Sequence, residues 1–407
     1  MKMKTCLICG NPIEPFMSFG KMPIANGFIK KDEFQDEYFF EMQVAHCTQC
    51  NMVQLIDQPE REKMFNENYA FYSGTSKLMG LHFKEFATEI SSYISTVKDP
   101  FVVEIGSNDG IMLRNFKNAG IRHLGIEPSK NVAQVAQNDG INTITEFFDK
   151  TLAEKIVQKD GNADAFIAAN VMCHIPYFHS IIEGIDVLLN EDGIVVFEEP
   201  YLGAVLEKTT YDQLYDEHVF LFSLHSISYA FEKHGFELFD AVPQETHGGS
   251  MRYYLCRKNK RKISDNIVKL RENEKEIGIE KSSTYEKFKK NCENAKTELL
   301  KIINEVRSKG KRIVGYAATS KSTTIINYCG ITSAHLDYIC DTTPIKIGKY
   351  SPGAHIPVKA HSEFQDNYPD YALLFGYNHE KEIMGKEQKY TEMGGKWIVY
   401  VPEIKIK

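Results

Sequence analysis

Short, almost continuous apolar runs recur through the middle of the chain, at 101–105, 123–127, 165–169 and 193–198. Runs of this length with no polar alternation read as strands buried on both faces, and each interval between them has room for one helix. The 111–118 segment is one such helix. The alternation predicts an α/β fold with a parallel sheet covered by helices. Ahead of it, Leu78, Leu81, Phe86 and Ile90 fall at helical spacing within 77–96, which predicts an amphipathic helix with those residues inward. After it, 236–242 and 251–256 flank Gly248-Gly249, the pattern of an antiparallel hairpin at a sheet edge.

From Arg257 to Arg312 the chain is dense in charge, with Ile263, Ile267, Leu270, Leu299, Ile302, Ile303 and Val306 at helical spacing. One or two long, solvated helices connecting domains are expected there. A second α/β pattern then begins, with a strand at 312–316, a small-residue turn, a helix from about Thr323, and strands at 336–340, 371–375 and 396–401. The first 70 residues differ from both, with short strand-like pieces broken by Pro12, Pro15, Pro23 and Pro59.

That opening segment holds two Cys-x-x-Cys pairs, Cys6/Cys9 and Cys47/Cys50. Two such knuckles complete a tetrahedral thiolate site, and four thiolates leave no open position for a substrate, so a structural Zn2+ is expected. A pair of disulfides is the alternative; no apolar secretory stretch follows Met1, which favours a reducing, cytoplasmic setting and a metal. The other five cysteines are scattered and read as small apolar residues. At 407 residues, 43% hydrophobic and 25% charged, the chain fits two or three globular domains. A net charge of −7 argues against a nucleic-acid partner, and no apolar run approaches a membrane span.

The chemistry concentrates at strand ends. Glu104-x-Gly106-x-Asn108-Asp109-Gly110 follows the first strand of the central pattern, where a ligand can approach backbone at the carboxyl edge of the sheet. It is not a GxGxxG pyrophosphate loop. Glu127 closes the next strand, where a carboxylate accepts both ribose hydroxyls, and Pro128 shapes the bend beside the adenosine. Together with the edge hairpin, which class I methyltransferases have and a dehydrogenase domain does not need, these favour S-adenosylmethionine over NAD. Asn170, after the third strand, is placed to reach the methionine portion or the substrate. Beyond Glu198-Glu199-Pro200 comes Tyr215-Asp216-Glu217-His218, in which His218 is the candidate base beside the charged Glu217. His174, Tyr69 and Tyr72 are further catalytic candidates.

These residues resemble the sugar-nucleotide C-methyltransferases of unusual deoxysugar biosynthesis, the 3-C-methyltransferase type. The likeness is carried by the paired knuckles, by 69–76, by the Glu104 to Gly110 loop, and by Ala169-Asn170-Val171 with His174-Ile175-Pro176. It continues through 215–218, His247-Gly248-Gly249-Ser250-Met251-Arg252, Gly315-Tyr316-Ala317-Ala318 with Lys321, and 341–353. The resemblance implies a zinc-binding domain (1–70), a central class I, Rossmann-like S-adenosylmethionine domain (71–260), and a helical connector with a smaller Rossmann-like domain (261–407) that helps hold a nucleotide-linked 4-keto-deoxysugar. Two departures stand out. Ala317 replaces a glycine common in the family and Ser322 follows Lys321, which bears on the phosphate contacts. Asp216 stands where the family often has histidine.

A ketone at C4 acidifies the C3 proton, so His218 could generate an enediolate that attacks the sulfonium methyl. Glu217 would orient His218 or hold a substrate hydroxyl, and Tyr69, Tyr72 or His174 would hydrogen-bond the C4 oxyanion. Lys321, Arg252 and His247 are the candidates for contact with the nucleotide sugar. Rival readings are an O- or N-methyltransferase, a dehydrogenase using the second sheet, and a non-catalytic docking module. The paired α/β domains can close a cleft within one chain, so a monomer is expected.

Overall fold

The computed structural model describes residues 4–64, 73–75 and 77–407. Tyr69 and Tyr72, with most of the 69–76 run, lie outside the described residues.

Three sheets follow one another. The first is antiparallel, in the order Pro15–Pro23, Phe39–His46, Val53–Leu55 and Phe220–Leu221. Its last strand arrives from far along the chain, pairing Val53 with Leu221 and Gln54 with Phe220. The sheet that carries the cysteine knuckles is therefore completed by the segment just beyond His218.

The second sheet has seven strands in the order Phe236–Gln244, Ser250–Arg257, Leu189–Pro200, Ala163–Ala169, Phe101–Ile105, Arg122–Ile126 and Thr143–Ile144. Only Ser250–Arg257 runs against the others. Phe101–Ile105 is buried throughout, and alternate residues enter opposite cores: Phe101, Val103 and Ile105 on one face, Val102 on the other. The predicted edge hairpin is present, with Phe236–Gln244 paired to Ser250–Arg257.

The helix Lys77–Tyr93 packs on this sheet through Phe83, Phe86, Ala87 and Ile90. Leu78 and Leu81 correct the expected inward face, being 50% and 60% exposed. At 100° per residue Leu81 stands about 140° around the axis from Phe86, on the solvent side.

The third sheet is parallel through Val358–Ala360, Ile339–Asp341, Ile313–Tyr316, Tyr371–Leu374 and Lys396–Val399, with Lys405–Ile406 antiparallel at its edge. Two helices lead to it, Asp265–Ile277 and Ser282–Ser308. They are less solvated than their charge suggests. Glu274 of the first is buried; its Oε1 accepts from Leu224 N (2.7 Å) and Tyr201 Oη (3.1 Å). The second sends Tyr285, Phe288, Leu299 and Ile303 into a core that also contains Met17 and Val44 of the first sheet and Ile325 and Ile339 of the third unit. The first and third sheets thus share one apolar core rather than touching only at their surfaces. No described helix is long and apolar enough to cross a membrane.

Candidate active site

Each cysteine knuckle is a tight turn closed by a left-handed residue. Gly10 (φ 76°) donates to Cys6 O at 2.9 Å, and Asn51 (φ 53°) donates to Cys47 O at 2.8 Å. Glycine and asparagine tolerate that backbone region best. The turns bring the four thiols together: Cys6 Sγ lies 3.5 Å from Cys50 Sγ, and Cys9 Sγ 3.4 Å from Cys47 Sγ. These separations are far from the roughly 2.05 Å of a disulfide. They approach the ~3.8 Å tetrahedral edge set by Zn–S bonds of about 2.3 Å. All four cysteines are free and their sulfurs lie within 4.8 Å of one another. The donor set fits zinc, which would serve to hold the knuckles.

At the carboxyl end of Phe101–Ile105, Gly106 has φ 61°, and a Cβ there would fall 2.1 Å from Val171 Cγ2. Only glycine lets the loop pass beside residue 171. Gly110 N closes the loop onto Ser107 O at 2.9 Å. Glu127 braces it from the next strand, Oε2 accepting from Asn108 N (3.0 Å) and Oε1 from Ser129 N (2.8 Å); Pro128 makes the bend between. From the other side Asn108 Oδ1 accepts from Ser73 N and Asp109 Oδ2 from Gly74 N. Glu104, Asp109 and Glu127 are all buried, and burial is the main force raising each carboxyl above its usual range. Glu104 Oε2 and Ser107 Oγ are buried with no hydrogen-bond partner among the described residues. Three buried acids around unsatisfied acceptors suit a cationic ligand with hydroxyls. S-adenosylmethionine, with its sulfonium, ammonium and ribose, fits that chemistry. Each Glu127 oxygen keeps a second lone pair for a ribose hydroxyl.

Asn170 sits at φ 56° and donates its N–H to Glu198 O at 2.8 Å. The next turn is held by Glu199, whose Oε1 accepts from Val171 N (2.9 Å) and Met172 N (2.7 Å). Burial pushes the Glu199 carboxyl up to about 7. This turn presents His174, whose ring stacks on that of His218 at 5.3 Å and 26°.

His218 is buried, and its hydrogen bonds settle its tautomer. Nδ1 lies 2.6 Å from Gln213 O, a carbonyl that can only accept, so Nδ1 carries the proton. In the neutral ring Nε2 is then an acceptor, and Tyr215 Oη donates to it at 2.7 Å. Burial first, then His174, Lys321 and His247, hold the His218 imidazole well below the ordinary histidine value. The expectation that Glu217 orients His218 is corrected here, because the Nδ1 partner is the Gln213 carbonyl. Glu217 instead accepts from Asn26 Nδ2 of the first domain at 2.5 Å. The neighbouring Asp216 Oδ1 accepts from Ala25 N at 2.9 Å.

Lys321 and His247 meet across the central and third units, Lys321 Nζ donating to His247 O at 3.2 Å. Gln213 Nε2 donates to the same carbonyl. Lys321 is buried, which brings its ammonium down to about 8 against the opposing pull of Asp212. Asp212 in turn accepts from Tyr377 and Tyr400, each at 3.2 Å.

Arg252 is elsewhere. Its Nε and Nη2 bind Glu198 Oε2 at 3.1 and 2.9 Å, its Nη1 binds Glu89 at 2.8 Å, and its guanidinium lies 3.9 Å from the Phe86 ring centroid. All its nitrogens are engaged within the protein and it pins the helix Lys77–Tyr93 to the sheet, which corrects its assignment to substrate phosphate. Gln213, Glu199 and Asn26 were not foreseen. Gln213 acts through a main-chain carbonyl that any residue has, and the other two are brought in by contacts remote in sequence.

Paired cysteine knuckles, a seven-stranded sheet whose one antiparallel strand lies next to its edge, and a buried Tyr–His pair at its ligand edge define a three-domain methyltransferase. Three domain families match the chain in series: a domain described as zinc binding over residues 6–65, a methyltransferase domain over 82–241, and a C-methyltransferase C-terminal domain over 245–402. The C-methyltransferase NovU of Streptomyces niveus is 29% identical over 404 residues, covering 98% of this chain and 96% of its own. Among solved structures, magnesium protoporphyrin IX methyltransferase from Synechocystis PCC 6803 aligns with 45% of this chain and 89% of its own, at 14% identity and a TM-score of 0.36. An S-adenosylmethionine-dependent methyltransferase from Clostridium acetobutylicum covers 45% and 93%, at 10% identity and 0.35. Both likenesses are too slight to carry function. The three domain matches in series and the full-length relative NovU mark the chain as an S-adenosylmethionine-dependent C-methyltransferase.

Proposed function

We propose that the protein methylates C3 of a nucleotide-linked 4-keto-deoxysugar through an enediolate. The observation that carries this reading is the buried Tyr215–His218 pair, which supplies the enolising base that carbon methylation beside a ketone requires and that an O- or N-methyltransferase does not. The sugar substrate follows from the family resemblance, and the buried lysines of the third unit support it.

When bound, the cofactor supplies an electrophilic methyl group. The protein's part is to make a carbon nucleophile. His218 Nε2 already receives the Tyr215 hydrogen bond, so the C3 proton reaches it by relay. Tyr215 Oη takes the proton from C3 as its own proton passes to Nε2; the C3–H electron pair becomes the second C3–C4 bond, and the C4=O π pair moves onto the C4 oxygen, giving the enediolate. This refines direct abstraction by His218. Burial holds His174 down to about 3, so it stays neutral and offers a hydrogen bond, not a charge, to the C4 oxygen. Imidazolium at His218 is costly in this site until the enediolate's negative charge forms beside it, which couples proton transfer to enolisation. Glu127 holds the ribose, Glu217 a sugar hydroxyl, and Lys321 the diphosphate.

The test is hydrogen exchange at C3. The nucleoside diphosphate-linked 4-keto-6-deoxyhexoses of thymidine, guanosine, cytidine and uridine are incubated with enzyme in deuterated water, with and without cofactor. Loss of the C3 hydrogen from one of them, followed by a C3 methyl when S-adenosylmethionine is added, is expected. Methyl transfer to oxygen or nitrogen without exchange overturns the reading.

A further inference from the structure

The strand Pro15–Pro23 ends in a turn that reaches the catalytic segment. Gly27 N donates to Ile24 O at 3.0 Å and Phe28 N to Asn26 O at 2.9 Å. A Cβ on Gly27 would crowd Ile24 O at 3.0 Å and Ile24 Cβ at 3.2 Å, so the turn needs glycine to be this tight. Its backbone is pinned from both sides. Ala25 N donates to Asp216 in the central domain, and Ala25 O accepts from Thr323 Oγ1 of the third unit at 2.8 Å. The Phe28 ring lies 5.1 Å from Lys346 Nζ. Asn26, between these anchors, has its amide delivered to Glu217.

Glu217 and Asp216 are adjacent and both buried, and two neighbouring carboxyl groups in such a place cannot both ionise cheaply. Asp216 Oδ2 has no hydrogen-bond partner among the described residues, whereas Glu217 receives the Asn26 amide and feels the Lys346 charge. Burial and Glu217 together hold the Asp216 carboxyl well above its usual range. The two are therefore unequal: Asp216 holds its proton the more firmly, and the negative charge is favoured on Glu217, where the Asn26 amide and Lys346 meet it. An aspartate at position 26 would put a third acid in the same place.

We infer that Asn26, from the knuckle-bearing domain, is a positioning residue for the reaction, fixing Glu217 as the ionised, correctly turned carboxylate that holds the sugar against Tyr215. This rests on the C3-methylation reading above. Among the described residues Asn26 hydrogen-bonds to neither the cysteine cluster nor the Gly106 loop, so its effect should be confined to turnover of the sugar.

The experiment compares wild type, Asn26→Ala and Asn26→Asp for C3 deuterium exchange, methyl transfer, melting temperature and S-adenosylhomocysteine binding. Losing one hydrogen bond to a charged group should lower kcat about ten- to a hundredfold, with cofactor binding unchanged and the melting temperature lowered by only a few degrees. Without the donor, Glu217 protonates more readily, so the acid limb of the kcat profile moves to higher pH in Asn26→Ala and further in Asn26→Asp. Among the described residues, the titratable groups that face Glu217 include Asp216, Lys346 and Cys173, with His218 next in sequence, and none of them is altered. A wild-type rate and pH profile in Asn26→Ala overturns the inference. So does a slowed enzyme with an unshifted profile and a lowered melting temperature, which means packing alone. If wild type itself exchanges no C3 hydrogen, the methylation reading fails first and takes the inference with it.

Discussion

Tyr215→Phe removes a single oxygen and isolates one question, whether the C3 proton reaches His218 through a phenol. The ring is kept, so its packing on His218 at 4.0 Å between centroids survives. What disappears is the 2.7 Å bond to Nε2. As a structural contact between neutral groups, that bond contributes about 1 kcal/mol, a shift of roughly 2–4 °C in a domain of 150–250 residues. As a relay, its loss slows proton transfer by roughly 10²–10⁴, about 3–5 kcal/mol of barrier. The two roles differ enough for one variant to tell them apart. C3 deuterium exchange without cofactor reports proton removal alone, methyl transfer reports the whole reaction, and a melting curve reports the fold. His218→Asn should be as damaging as Tyr215→Phe, and the double variant no worse than the more damaging single one, because members of one relay fail as a unit. The pH dependence has a defined sign. The competent imidazole is neutral and its pKa is held well below the usual ~6.5. Wild-type activity should therefore persist below pH 6, where an exposed histidine base would already be protonated. Exchange in Tyr215→Phe within threefold of wild type, or single losses that multiply in the double variant, would refute the relay.

Purified protein should carry about one zinc per chain, and Cys47→Ser should lose it together with much of the melting temperature; a metal-free protein of undiminished stability removes the metal from the account. Glu127→Ala should weaken S-adenosylhomocysteine binding in titration calorimetry while far-ultraviolet circular dichroism stays unchanged, and equal affinity would mean that Glu127 only braces the loop. Glu199 contributes a pH term of the opposite sign to the histidines. Its folded pKa of about 7 lies above the unfolded value near 4.3, so its stabilisation is present below that lower value and is lost as pH rises through 7. The melting temperature of wild type minus that of Glu199→Gln should fall between pH 5 and pH 8; a flat difference over that range would mean that Glu199 is already ionised in the fold.

The parallel sheets were legible because their strands are buried on both faces and read as plain apolar runs, 101–105 and 371–375 among them. The knuckles were legible because Cys-x-x-Cys spacing states its own chemistry. Helix facing was less so: Leu78 and Leu81 share an apolar character with Phe86, and only packing distinguishes a solvent-side leucine from a core one. Arg252 misled for a related reason. A cation in a small-residue loop looks the same in sequence whether it meets a phosphate or the carboxylates of Glu198 and Glu89. The origin of His218's polarity was hidden altogether, because a backbone carbonyl sets it and every residue has one.

The catalytic segment has little regular structure of its own, a short 3-10 turn at Tyr211–Gln213 and the two-residue strand Phe220–Leu221. Its groups are fixed from outside. The turn at Ala25 and Asn26 holds the two carboxylates, and Thr324 Oγ1 of the third unit donates to Leu214 O at 2.9 Å. Lys321, through the His247 carbonyl it shares with Gln213, reaches the residue whose own carbonyl sets the His218 tautomer. A loop held by both flanking domains cannot keep its geometry if either one shifts. That dependence accounts for the single apolar core that runs from the first sheet into the third: separate cores would let the flanking units move independently, and the reacting groups would lose registration. It also explains how two buried acids, Asp216 and Glu217, can stand beside His218. The donors that reach them, Ala25 N to Asp216 and Asn26 Nδ2 to Glu217, come from the first domain and not from the loop itself.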